Sequence, residues 1–203
     1  MTVDGSGVLQ RLATSEIAQF VTACSPDGRF IVFQQDSPQT RWDIWLLPLT
    51  GGGKPQPFRQ TRFNEAGAVF SPDGRWLAYQ SDESGQDEIY VQAFEGNGKR
   101  TPISVDGGHD PKWSPKGDEL FYLNDNKMMV VKISPGAGMS AGRPKVLFAL
   151  PHVGGPRGFG YDISPDGKHF VVMKEGTKTQ FTRMNVVLNW FEELKSKMQE
   201  ENR

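Results

Sequence analysis

Apolar residues along this chain come in short runs separated by clusters of Gly, Pro, Asp and Ser. The first such group is Phe20 to Cys24, Arg29 to Phe33, Asp43 to Leu47 and Lys54 to Phe58. A second group follows at Ala68 to Phe70, Trp76 to Tyr79, Glu88 to Val91 and Thr101 to Ser104, and a third at Pro111 to Trp113, Leu120 to Tyr122, Met128 to Val131 and Lys145 to Phe148. The last is Phe159 to Ile163, His169 to Met173 and Asn185 to Leu188. Runs this short, rich in β-branched and aromatic residues and bounded by turn formers, predict strands. Helical spacing first appears after Asn189, where Trp190, Phe191, Leu194 and Met198 share one face and Asn189 with Glu192 make a capping start.

The punctuation between the runs repeats. Ser25-Pro26-Asp27-Gly28 returns as Ser71-Pro72-Asp73-Gly74, Ser114-Pro115-Lys116-Gly117 and Ser164-Pro165-Asp166-Gly167. Proline presets the first corner of a tight turn, aspartate bonds the backbone just beyond it, and glycine accepts positive φ, so each copy joins the first two strands of its group. A period of roughly 45 residues with about four strands per unit is the pattern of a β-propeller. The expected fold is therefore all-β: four WD-like blades at about 18–60, 67–105, 109–150 and 158–190, making a domain over 1–190, then a short C-terminal α-helix over 191–203. An orphan strand at 8–12 precedes the first blade; it either closes a small ring onto the last blade or belongs to a partial arc of a larger propeller.

The turns, with Phe70 or Trp113 ahead of them and apolar-apolar-aromatic steps behind, resemble the repeats of TolB-type β-propellers. Lys116 departs from the usual aspartate and leaves that turn's side-chain bond in question. The closing segment Val186 to Lys195 also resembles the end of the C-terminal propellers of bacterial serine/threonine protein kinases. That resemblance implies a non-catalytic sensor part, often extracytoplasmic. No kinase Gly-rich loop, catalytic loop or Mg²⁺ motif accompanies it in this sequence, so no kinase activity is implied.

Charge narrows the partners. Twenty-three Lys and Arg against 24 Asp and Glu leave no global field for nucleic acid or an anionic membrane. No stretch approaches the roughly 20 apolar residues of a membrane span, and the start lacks the features of a secretory signal. As written, the chain is expected in the cytoplasm without membrane insertion, or outside it as part of a longer membrane-anchored protein. Its oligomeric state is open. The single Cys24 excludes an internal disulfide and is expected to be buried, as an apolar residue of its run.

Candidate chemistry is sparse. Gly138-Met139-Ser140-Ala141-Gly142 fits the G-x-S-x-G pattern, but a nucleophile elbow needs a strand before it and a helix after, and this context is a loop entering a strand. His109, His152 and His169 fall in different units without close-spaced ligands, so no metal or other cofactor is expected, and His169 is expected to be structural within a strand. Asp82 to Glu88 carries four carboxylates without calcium-loop spacing and is expected to be a solvated hairpin loop. Tryptophans 45, 76, 113 and 190 fall in or beside strands or the helix and are expected to pack between blades, which leaves Trp42 outside that role. Function in a propeller concentrates in loops at one rim. The loops that open each blade carry Phe63, Asn64, Glu65, His109, Asp110, His152 and Arg157, and these are the candidate binding residues. The expected function is a binding or scaffold module for a protein or peptide, not an enzyme; the alternatives are the gate of a prolyl-oligopeptidase-like hydrolase or a TolB-like envelope scaffold.

Overall fold

The computed structural model describes residues 11–96, 98–134, 139–150 and 160–173, and every regular element among them is a strand. The first sheet is a four-stranded antiparallel meander of β1 (Gln19–Cys24), β2 (Phe30–Ser37), β3 (Arg41–Pro48) and β4 (Gln56–Arg59). The second repeats it with β5 (Glu65–Phe70), β6 (Trp76–Ser81), β7 (Glu88–Ala93) and β8 (Thr101–Pro102). In the third, β9 (His109–Trp113) and β10 (Glu119–Asn124) lead to the long β11 (Lys127–Ser134). One end of β11 pairs with β12 (Ser140–Ala141) and the other with β13 (Lys145–Ala149). The fourth shows β14 (Tyr161–Ile163) paired with β15 (Phe170–Val172). The expected terminal helix and the strand at 185–188 lie outside the described residues. Of the expected strand 8–12 only Arg11 and Leu12 are described, and neither is in a strand.

Apolar side chains on both faces make these sheets stack. Along β6, Leu77 and Tyr79 meet Val32 and Ile44 of the first sheet, while Ala78 on the opposite face joins Trp113, Leu120 and Tyr122 of the third. A strand covered on both sides reads as a continuous apolar run rather than an alternation, which explains the sequence pattern. Burying a side chain the size of Leu77 or Ile89, both fully enclosed, contributes about 1.5–3 kcal/mol. A third core joins Phe121, Leu123 and Met128 to Tyr161 of the fourth sheet, with Phe170 edge-on to Phe121 at 5.0 Å.

The repeated turns form as expected. In the second, Ser71 Oγ donates to Asp73 Oδ1 at 2.6 Å and accepts the Trp76 N–H at 3.0 Å, and Gly74 N–H reaches Ser71 O at 2.9 Å with φ 71°. Where Lys116 replaces the aspartate, Ser114 Oγ donates instead to Asp118 Oδ1 at 2.8 Å, so the bond survives two residues further on. The turns also touch one another: a Cβ on Gly74, Gly117 or Gly167 would lie 3.6, 3.4 or 3.3 Å from the proline ring of the preceding turn.

Four expectations need correction. Cys24 is exposed. It stands where later sheets place Phe70 and Trp113, which pack against the sheet before them, and it borders the same turn-end cavity as they do. The acidic loop is not simply solvated: Asp82 accepts the Asn64 N–H at 2.8 Å, Glu83 pairs with Arg59 and Arg100, and buried Glu88 accepts from Ser104 Oγ and the Gly107 N–H. These carboxylates are held because they satisfy backbone donors and arginines that would otherwise be left without partners. His169 lies just ahead of β15 and is exposed, although its N–H makes the same bond to the turn serine, Ser164 Oγ, that Phe30 and Trp76 make at the start of β2 and β6. Trp42, outside every expected strand, is the second residue of β3.

Candidate functional site

A bulge recurs in the first strand of each of the first three sheets. Register slips between Val21 and Ala23 in β1, between Ala66 and Val69 in β5, and opposite Phe121 to Leu123 in β9. The slip places Val21, Gly67 and Asp110 at equivalent positions ahead of their turns. Bulges re-aim the strand and often take a left-handed residue, for which glycine is favoured. Gly67 has φ 65° and Asp110 has φ 55°. Each is fixed by the sheet before it: the Gly67 N–H donates to Gln34 Oε1 at 3.1 Å and the Asp110 N–H to Gln80 Oε1 at 3.2 Å. An aspartate in this backbone region costs roughly 1 kcal/mol more than a glycine.

These bulges wall a cleft of about 400 Å³ at the end of the sheets away from the turns. Phe20, Trp42, Asn64, Gly67, Asp110 and Lys112 are among its lining residues. Phe20 is half exposed and meets the Trp42 ring edge-on at 5.5 Å. Val69 and Lys112 also border the turn-end cavity of about 250 Å³, so the two openings back onto the same first strands.

The candidate residues distribute as follows. Asn64 is buried at the cleft wall, where its Oδ1 accepts the Trp42 N–H at 3.3 Å and its own N–H reaches Asp82. Asp110 lies in the same wall, with one carboxylate oxygen 3.0 Å from His109 Nδ1 and its carbonyl accepting the Tyr161 hydroxyl at 2.8 Å. His109 itself is half-buried beside the wall. Phe63 sits under the Arg62 guanidinium at 4.9 Å and does not line the cleft. Glu65 is fully buried; Thr61 Oγ1 donates to it, and Arg59 stands 3.8 Å away. Burial pushes its carboxyl above the usual range, against the lowering by the Thr61 bonds and Arg59. His152 and Arg157 lie outside the described residues. Phe20, Gln34, Arg41, Trp42 and Gln80 of the same wall were not candidates. Only the equivalence of Gln34 and Gln80 relative to their turns signals them in the sequence.

The wall's hydroxyls and amides bond structural neighbours; Thr22 Oγ1, for instance, donates to Ala68 O at 2.7 Å. Ser140, the serine of the G-x-S-x-G match, is exposed on the two-residue β12, paired to β11 and away from the cleft. Among the described residues no group of three or more His, Cys, Asp or Glu is placed to hold a metal, and no helix is long and apolar enough to cross a membrane.

Antiparallel sheets stacked face to face, with their first strands around a common cavity, define a β-propeller. Residues 4–141 match the TolB β-propeller domain family, PD40, and the chain belongs to that family. TolB from Acinetobacter baumannii superposes with a TM-score of 0.59 at 21% identity, over 83% of this chain and 40% of that one. The uncharacterized protein Atu1656 of Agrobacterium fabrum is 28% identical over 120 residues, 59% of this chain and 40% of that protein. The uncharacterized peptidase YuxL of Bacillus subtilis is 30% identical over 105 residues, 48% of this chain and 16% of that protein. The chain spans less than half the length of these curated relatives.

Proposed function

We propose that this chain is a non-catalytic binding module that takes a segment of a protein or peptide into the cleft between Phe20, Trp42 and the bulges at Gly67 and Asp110. The observation that carries this reading is the cleft itself: a concavity lined by exposed Phe20 edge-on to half-buried Trp42 and by backbone-fixed polar groups, as expected of a peptide site. Membership of the TolB propellers, which generally serve protein interaction, supports it. Its wall groups are engaged in holding the sheets together rather than poised as nucleophile and base.

In a longer protein such a module would report or gate through its bound partner. A sensor attached to a receptor-like serine/threonine kinase is one form, resting on the resemblance of residues 186–195; a propeller beside a hydrolase is the other, favoured by the likeness to a peptidase-named relative. A kinase and a membrane span in the same reading frame would support the first, and a hydrolase domain the second.

The binding reading is tested by panning phage-displayed random dodecapeptides on the immobilised protein and on a Phe20→Ala/Trp42→Ala double variant. Enrichment on the wild type alone is expected. Equal recovery on both proteins refutes the site.

A further inference from the structure

Asp110 is an aspartate in a place built for glycine. The equivalent position in the preceding sheet is Gly67, with the same left-handed backbone and the same amide bond to a glutamine of its neighbour. What ties Asp110 into the fold is its backbone: its N–H to Gln80 Oε1 and its carbonyl to the Tyr161 hydroxyl. Glycine would make both bonds with less strain, so the carboxylate is not required by the bulge. The Asp110 side chain is only 6% exposed, the residue lines the cleft, and His109 Nδ1 engages one of its two carboxylate oxygens.

The other charges of the wall are matched. Arg41 pairs with Asp82 at 3.8 Å and Lys112 with Asp162 at 3.3 Å. With both cations paired to carboxylates, and His109 the one described side chain that engages the Asp110 carboxylate, the surplus charge of the cleft among the described residues is negative. A carboxylate nearly removed from water is unfavourable without a cationic partner, and the Phe20 and Trp42 rings of the same wall offer π faces that attract cations.

We infer that the cleft selects a basic side chain, the ammonium or guanidinium of a partner's lysine or arginine, and that Asp110 is the residue that selects it. The inference rests on the peptide-binding reading and narrows it to one ligand chemistry. An acidic or purely apolar segment would leave the Asp110 charge uncompensated.

The test uses the dodecapeptides whose enrichment depends on Phe20 and Trp42. These are titrated by calorimetry against the wild type, Asp110→Asn and Asp110→Gly. Both replacements suit the left-handed backbone, so circular dichroism should show each variant folded. The enriched peptides are expected to share a Lys or Arg. Changing that residue to Gln, or using either variant, should weaken binding by about 10- to 100-fold, the range of a buried charge-assisted contact. Cleft-dependent peptides without a basic residue, or affinities unmoved by both variants, overturn the inference while leaving the peptide site standing. Absence of any cleft-dependent peptide removes the site and the inference together.

Discussion

Replacing Ser71 by alanine isolates what the repeated turn contributes. Ser71 is 2% exposed, and its Oγ makes two bonds, a 2.6 Å donation to Asp73 and acceptance of the Trp76 N–H at 3.0 Å. Loss of a bond to a charged acceptor is worth about 1.5–3 kcal/mol, and an amide left without a partner away from water about 1–3 kcal/mol. The two share one atom and do not add fully, so Ser71→Ala should cost about 2–4 kcal/mol. Ser164 makes the same two bonds, at 2.5 and 3.0 Å, but in an exposed turn. Water replaces them there, and Ser164→Ala should cost about 1 kcal/mol or less. Urea unfolding followed by tryptophan fluorescence, with unchanged m, measures both. Equal losses within about 0.5 kcal/mol would refute the claim that burial, rather than the motif, sets the turn's worth.

The same turns should govern acid stability. The bonds from Ser25 and from Arg29 hold the Asp27 carboxyl at about 2; for Asp73, burial pushes upward but the bonds from Ser71 and Arg75 outweigh it, and Asp166 is likewise lowered by Ser164. A lowered folded pKa means stability present above the ordinary carboxylate value of about 4 and lost as pH falls toward about 2, so Ser71→Ala should flatten the loss in that window. Glu65 has the opposite sign, because its raised folded pKa costs stability as pH rises; Glu65→Gln should therefore gain on the wild type in thermal melts as pH rises above the ordinary carboxylate value of about 4, and a constant difference would count against it. Lys116→Asp should change stability by less than about 0.5 kcal/mol because Asp118 already accepts Ser114 Oγ, whereas Asp118→Ala should cost about 1–2 kcal/mol in the same urea assay. Asp43 is fully buried and accepts from Ser37, Thr40 and Gln60 at 2.7, 2.7 and 3.2 Å. Asp43→Ala should lower the melting temperature by the equivalent of about 3 kcal/mol, with Asp43→Asn in between.

Strand content and sheet order were legible because they depend on local chemistry. Ser-Pro-Asp-Gly makes its turn from neighbouring residues alone, and the apolar runs beside it must pair across that turn. Even the departure at Lys116 was absorbed locally, by Asp118. The cleft was legible only in part. Asn64 and Asp110, chosen because they open their blades, line the cleft, whereas Phe63 and Glu65, chosen on the same ground, lie beside Arg62 and inside the sheet stack. Cys24 was misjudged because exposure depends on what a neighbouring sheet presents, and a run of apolar residues does not state it.

By itself, then, the sequence determined an all-β chain of repeated antiparallel units, since periodic turns and strand-length apolar runs act over a few residues. Tertiary structure decided where one sheet meets the next. It aligned Gln34 with Gly67 and Gln80 with Asp110, residues far apart in the chain that meet only when sheets stack. It also gathered Phe20, Trp42 and Asp110 around one cleft. Those meetings arise from burial of whole apolar faces, a non-directional force whose outcome depends on the summed shape of many side chains rather than on any single motif.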